Sequence, residues 1–333
     1  MGEAETLAMK EKRVGLLLAA GRRAEAMELL FELVVAHAVA RRFDHAEKLQ
    51  QQMMDVDAMA LSLIVSAAER IEEEKNRAID RVHMERWKAW YARLLPEERS
   101  AFFFACEPLS FSPGTTLFRQ GEGNTSLYFV DQGVLQLFAA SDKGQEVLVR
   151  RVGPGDLAGE DTFYKSSVCT TRLVALTAGS CQVLSREALM VLDETVAGLG
   201  PKLRAFCSQG RSPSEMLQAK GVNRRAHKRI PAQGVIVFQV LSGEKKGATA
   251  SLLKGRMADI SAGGLSFYVK TANGRGIRQL LGRYLGMKFL LTASGNPQPL
   301  VCKGVVTGVL CHMDNEYSIH VKFDKLLNPM LFV

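Results

Sequence analysis

Cysteine is scarce and scattered. The 333-residue chain has six, at positions 106, 169, 181, 207, 302 and 311, and no two form a CxxC pair. Such spacing suggests neither a disulfide framework nor a zinc site, and a reducing cytoplasm suits it best. Long apolar runs are lacking too. Val14–Ala20 and Leu29–Ala40 fall short of the roughly 18 residues a membrane span needs, and Glu32 and His37 interrupt the second. Lys10, Lys12 and Arg13 before Leu16–Leu18 mimic a secretory leader. Arg22 and Arg23 follow at once, however, without a small-residue cleavage site, so an amphipathic helix is expected there. No HExxH, GxSxG or P-loop pattern occurs and the six histidines lie singly, so neither catalysis nor a metal site is expected.

Acidic residues are few in one region only. Residues 208–333 carry 18 Lys+Arg against 6 Asp+Glu, whereas residues 1–95 carry 15 against 16 and residues 96–207 carry 10 against 13. The net charge of +8 therefore hides a local +12 (18 − 6), which predicts an anionic ligand for the C-terminal third.

The hydrophobic period divides the chain again. Leu7, Val14, Leu17 and Leu18, then Leu29, Leu30, Leu33 and Val34, recur at helical spacing, and a long helix is predicted from about Asp57 to Arg93. The pattern of Gly21, Arg22, Glu25 and Ala26 resembles a tetratricopeptide-type helix-turn-helix. Residues 1–95 are thus expected to form a helical module, tetratricopeptide-like or a dimerisation bundle, that docks a protein partner or makes a homodimer. Pro96, Glu97 and Glu98 carry the signals of a helix start. From Phe111, glycines separate short runs such as Leu127–Val130, Val134–Phe138 and Val147–Val149, which predicts a β-barrel or jelly roll. Helical spacing returns over Arg186–Phe206. Residues 208–221 are polar and predict a linker, and a second β domain follows with runs at Val235–Val240, Leu265–Val269, Met287–Leu291, Val301–Val309 and Tyr317–Phe323.

In the middle segment, Pro113-Gly114, Gly121-Glu122, Tyr128-Phe129-Val130, Gly133, Gly153-Pro154-Gly155-Asp156 and Gly159-Glu160 resemble the cyclic-nucleotide-binding domain of the catabolite-activator superfamily. That resemblance implies a jelly roll with flanking helices over residues 96–207. It also implies a phosphate site opened by Gly159 and Glu160 and completed by an arginine nine or ten residues on. Cys169 stands at the arginine position, followed by Thr170 and Thr171. The next arginine, Arg172, is an odd number of strand residues away and should face the other side, leaving only Lys165 to compensate. The site is therefore expected to be degenerate, with the fold kept for dimerisation and signal transfer, and cAMP or cGMP is not expected as ligand.

In the basic segment, RxxxR (Arg225, Arg229) precedes DxSxxG (Asp259, Ser261, Gly264). Together they resemble the PilZ domain, a bacterial receptor for cyclic di-GMP, over residues 222–333. Guanidinium matches both phosphodiester oxygens and the O6/N7 edge of guanine, and an ionised Asp259 suits guanine N–H donors. Ser261 can add a hydroxyl bond, while Gly264 gives room at the turn. Asp259 and Ser261 also suit a turn, and Gly264 a bulge. The resemblance also implies that a basic residue at Arg224 accompanies a stacked pair of ligands.

The expected fold class is multidomain α+β: helical module, cyclic-nucleotide-binding-like jelly roll, PilZ β-barrel. The expected function is a cytoplasmic, non-enzymatic cyclic di-GMP receptor needing no cofactor, whose domains rearrange on binding to regulate motility, attachment or exopolysaccharide. A nucleic-acid-binding regulator and a scaffold with vestigial nucleotide sites are the alternatives; nucleic acid is the less expected partner. Glu187-Ala188-Leu189 matches a phosphodiesterase tripeptide, but no segment remains to house that catalytic domain.

Overall fold

The computed structural model describes residues 2–141, 144–222, 226–241, 252–293 and 296–328. The chain divides into two compact units, residues 1–106 with 190–202 and residues 107–189 with 203–333.

The first unit is helical. Helices α1 (Gly2–Ala19), α2 (Arg23–Val39), α3 (Phe43–Val56) and α4 (Leu61–Ala78) bury Val14, Leu30, Leu33, Met53, Ile64 and Ile71. The turns after α1 and α2 share one geometry. Gly21 and Arg41 take φ of +74° and +57°, and the next residue's N–H returns to a carbonyl five residues back: Arg22 to Leu17 and Arg42 to His37, both 2.9 Å. This satisfies helix-end carbonyls that would otherwise be orphaned.

The long helix predicted from Asp57 is interrupted. Ile79 leaves helical geometry (ψ 133°) to become buried, and the Asp80 carboxylate accepts the His83 N–H at 2.8 Å to start α5 (Arg81–Arg86). Burying one isoleucine and capping a new helix together outweigh continued propensity. Then come α6 (Lys88–Tyr91) and α7 (Pro96–Ala105), with Trp90 packed edge-on against Phe102 at 5.3 Å. Pro96 opens α7 as expected, and Glu98 accepts from the Leu95 N–H (2.7 Å) and from Lys202 Nζ (2.6 and 2.7 Å).

The second unit begins as a jelly roll. Its strands are β1 (Glu107–Phe111), β2 (Thr116–Phe118), β3 (Ser126–Gln132), β4 (Leu135–Ala140), β5 (Glu146–Val152) and β6 (Leu157–Ala158). The short helix α8 (Glu160–Phe163) leads to β7 (Ser166–Ser167), β8 (Arg172–Ala175) and β9 (Gly179–Ser185). Two antiparallel sheets, ordered β1-β9-β3-β6 and β2-β8-β4-β5, enclose Val130, Leu135, Leu137, Val152 and Leu173. The helical spacing over Arg186–Phe206 resolves into two helices, α9 (Arg186–Thr195) and α10 (Leu199–Cys207), parted at Gly198 with φ +91°. Within the segment expected as linker lies α11 (Pro213–Ala219), started by a reciprocal cap between Ser212 and Glu215. Leu217 is buried in the jelly-roll core, and Lys220 Nζ donates to the carbonyls of Leu148 and Val149 on β5, both 2.8 Å.

The C-terminal part is a six-stranded barrel. After β10 (Ile230–Pro231) come β11 (Val235–Val240), β12 (Leu253–Ser261), β13 (Gly264–Lys270), the short helix α12 (Gly274–Arg278), β14 (Tyr284–Ala293), β15 (Asn296–Cys311) and β16 (Glu316–Phe323). Hydrogen bonding runs β12-β11-β14-β15-β16-β13, and β13 pairs back with β12 to close the sheet. Ile236, Phe238, Phe267, Leu285, Ile319 and Val321 fill the interior. The jelly roll reaches this barrel through β7: Ser166 and Ser167 pair with Val309 and Gly308 of β15, and the Val168 N–H donates to the Thr307 carbonyl at 3.0 Å.

Candidate functional site

On the barrel, the two halves of the arginine–aspartate motif meet. Ile230 and Pro231 of β10 pair with Ile260 and Asp259 of β12, and the Ala232 N–H donates to the Ala258 carbonyl at 3.0 Å. That clamp sets Arg229 beside Asp259, and its guanidinium donates to Asp259 Oδ1 at 3.0 Å. The side chains keep 29 % and 33 % of their surface exposed, so a ligand can reach both. Arg224 and Arg225 lie outside the described residues.

A bulge aims Asp259. Met257 and Ile260 are both buried, though strict alternation would put residues three apart on opposite faces. The β12–β13 register shifts between Met257 and Asp259, so the chain resets its facing there and Asp259 emerges on the Arg229 side. Ser261 and Gly264 close the β12–β13 hairpin, paired across Ala262 and Gly263. The Ser261 hydroxyl is buried and donates to the Gly264 carbonyl at 3.2 Å, a role inside the turn. Gly264 is no bulge but an in-register strand residue facing Ser261 and Lys322. Glycine is required because a Cβ there would lie 2.3 Å from the Val321 carbonyl oxygen. His227 packs over the turn, 3.0 Å from where a Cβ on Gly263 would stand, and Lys228 between it and Arg229 is exposed.

The jelly-roll site is built differently from its motif. Gly159 takes φ +92° directly before α8, and a Cβ on it would lie 2.3 Å from the Ser126 carbonyl oxygen. Glu160 opens α8 but is already paired: Arg150 on β5 donates to its Oε1 at 3.1 Å and to the Leu157 carbonyl at 2.6 Å. Burial pushes the Glu160 carboxyl above the usual range, and Arg150 draws it back only in part. Cys169 is buried, its thiol pushed up to about 11 by desolvation, so it stays protonated and uncharged at neutral pH. Thr170 is exposed. Thr171 is buried, and its hydroxyl has no hydrogen-bond partner among the described residues. Arg172 faces outward, as its odd offset predicts, and grips Glu146 through two bonds of 2.9 and 3.1 Å. Lys165 is exposed, and Arg186 caps α8 by donating to the carbonyls of Phe163 and Thr162. Sequence reasoning missed Arg150 because its partner lies ten residues away across a turn that only the folded sheet defines.

Two family models match parts of the chain. Residues 108–195 match the family model described as cyclic nucleotide-binding domain, and residues 223–330 match that described as PilZ domain. The CRP-like cAMP-activated global transcriptional regulator of Mycobacterium tuberculosis is 27 % identical over 94 residues, 28 % of this chain and 42 % of that protein. The chain thus spans under half the length of this curated relative. Among solved structures, the Thermus thermophilus catabolite activator protein is 24 % identical, covering 39 % of this chain and 59 % of that one, with a TM-score of 0.34. A cyclic nucleotide-binding-like protein from Brucella abortus is 29 % identical, covering 31 % of this chain and 89 % of that one, with a TM-score of 0.29. This chain joins a cyclic nucleotide-binding domain to a PilZ domain, in that order.

Proposed function

We propose that the chain is a non-enzymatic receptor for cyclic di-GMP, with Arg225, Arg229 and Asp259 as principal ligand contacts. The observation that carries this reading is the Arg229–Asp259 ion pair, which unites two motifs thirty residues apart on one accessible face. A ligand phosphate or guanine edge would take over the Arg229 guanidinium, while the released Asp259 carboxylate would accept guanine N–H groups. Ser261 and Gly264 contribute by holding the hairpin, and Arg224 adds positive charge for a second stacked ligand.

The placement of the arginines also supports a transduction role. Val222 packs on the jelly-roll core and Ile230 is paired into the barrel sheet. Residues 223–229, which carry both motif arginines, are the stretch between those two anchors. Ligand capture there would tighten that stretch and shift the barrel against the jelly roll through the β7–β15 seam. The output would reach a protein partner through the helical module, where Leu16, Met59 and Leu61 leave apolar surface exposed. Cell motility, attachment or exopolysaccharide production would be the regulated process. The jelly roll acts as the relay and binds neither cAMP nor cGMP: Cys169 supplies no cation, and Arg150 already occupies Glu160.

Titration calorimetry of the full chain tests the core of this. Saturable cyclic di-GMP binding that disappears in Arg225→Ala plus Arg229→Ala supports it. Absence of binding, or equal binding by the double variant, would sink it.

A further inference from the structure

The helical module brings together three residues that lie far apart in sequence. Glu11 on α1, His37 in the last turn of α2 and His45 in the first turn of α3 converge on one point. His37 Nε2 and His45 Nε2 sit 3.1 and 2.9 Å from the same oxygen, Glu11 Oε1, and one donor atom from each residue lies within 4.8 Å of the others. The α2–α3 turn fixes this convergence. Arg41 at φ +57° reverses the chain, and the Arg42 N–H tied to the His37 carbonyl brings the two imidazoles to a centroid distance of 4.2 Å. The cluster borders an open cavity of about 670 Å³ shared with Asp44 and Phe104. His37 is buried, while Glu11 and His45 are partly exposed toward that opening.

We propose that Glu11, His37 and His45 form a binding site for a divalent transition-metal ion of the zinc class, with the cavity side left open for a fourth ligand. Two imidazoles and one carboxylate are a borderline donor set. They suit zinc and its neighbours, and are poor for calcium or magnesium, which take oxygen ligands. Zinc bonds of about 2.0–2.2 Å in a tetrahedron separate ligand atoms by roughly 3.4 Å. The two nitrogen–oxygen separations need to open by only a few tenths of an ångström, and the two imidazole nitrogens, within 4.8 Å of one another, need to settle to that same spacing, as the ion replaces the bridging protons. Two features limit the affinity. Arg41 and Arg42 line the cavity and oppose another cation, offset by Glu11 and Asp44. His37 Nδ1 makes no hydrogen bond among the described residues, so it lacks the second partner that steadies most metal-bound imidazoles. The rival explanation is a plain hydrogen-bonded triad, in which the carboxylate only satisfies two imidazole N–H groups.

Binding would clamp α1 to the α2–α3 turn, which gives the test two readouts. The full chain is stripped with a chelator, dialysed against buffered zinc and assayed for bound metal, with Glu11→Gln and His45→Ala in parallel. His45 is partly exposed, so His45→Ala should keep its fold; circular dichroism without metal checks this. The proposal expects one equivalent of zinc on the parent, lost in both variants, and a zinc-induced rise in Tm for the parent alone. Cobalt substituted for zinc should give an absorption spectrum without a thiolate charge-transfer band, since free cysteines could also bind metal. No retained zinc on the parent, equal retention by both variants, or a thiolate band would each overturn it.

Discussion

Replacing Arg229 by alanine separates a ligand contact from a structural one. In the folded chain Arg229 makes one contact to Asp259, 3.0 Å long, with about a third of each side chain exposed. Such a pair contributes about 0.2–1 kcal/mol to folding. Arg229→Ala should therefore lower stability by at most about 1 kcal/mol, a Tm change of roughly 2–4 °C. The effect on ligand should be larger. A guanidinium bonded to a phosphodiester or a guanine edge is worth about 1.5–3 kcal/mol, and 1.4 kcal/mol is a factor of ten, so affinity should fall about 10- to 150-fold. Calorimetric titration with cyclic di-GMP, alongside thermal melts, measures both quantities on the same preparation. Adding Asp259→Ala sharpens the comparison, because neighbours sharing one ligand should not lose affinity additively. Undiminished binding by Arg229→Ala would refute the assignment. Losses that add in full would refute the idea that both residues serve one site.

Other perturbations test other parts. Gly264→Ala should cost about 1–3 kcal/mol in thermal or urea melts, because its Cβ would press on the backbone oxygen of Val321, which cannot swing aside. At Glu98, burial raises the carboxyl, but the hydrogen bonds from Lys202 and the Leu95 N–H outweigh it and hold the group below the usual range. Its contribution is therefore complete above the unfolded glutamate value of about 4.3 and is lost as pH falls through the lower folded value. Glu98→Gln should flatten that acid limb in urea titrations and remove about 1.5–3 kcal/mol at neutral pH. Thermal shift with cAMP and with cGMP should show no change in Tm, whereas cyclic di-GMP should raise it. A rise with either mononucleotide would show that Arg150 yields Glu160 to a ligand.

Much of the architecture was legible in the sequence because strands with apolar runs and glycine turns announce themselves. Val235–Val240 and Tyr317–Phe323 are strands as predicted. The strand that carries Asp259 did not announce itself: Leu253–Ser261 is largely exposed at its start, and its bulge breaks the alternation that would have marked it. Helix α11 was hidden between Gly210 and Gly221, although Ser212, Pro213 and Glu215 carry a readable capping signal. The paired motifs marked Arg229 and Asp259 as residues of interest, but their ion pair is set by the β10–β12 pairing and was not readable from the sequence. Arg150 with Glu160, and Glu11 with the two histidines, have no sequence signature, since only tertiary packing sets their distances.

The seam between β7 and β15 bears on how the barrel behaves once cut free. A fragment starting at residue 223 keeps the closed hydrogen-bond circuit of the barrel but strips Ser166 and Ser167 from Gly308 and Val309. The N–H and C=O groups of that stretch, including the Thr307 carbonyl, then face solvent as an unpaired strand edge, which is a template for pairing with another molecule. Such a fragment is expected to self-associate in gel filtration with light scattering, while one starting at residue 107 stays dispersed. The jelly roll would then serve the barrel as a built-in guard against edge-to-edge aggregation, whatever it does or does not bind.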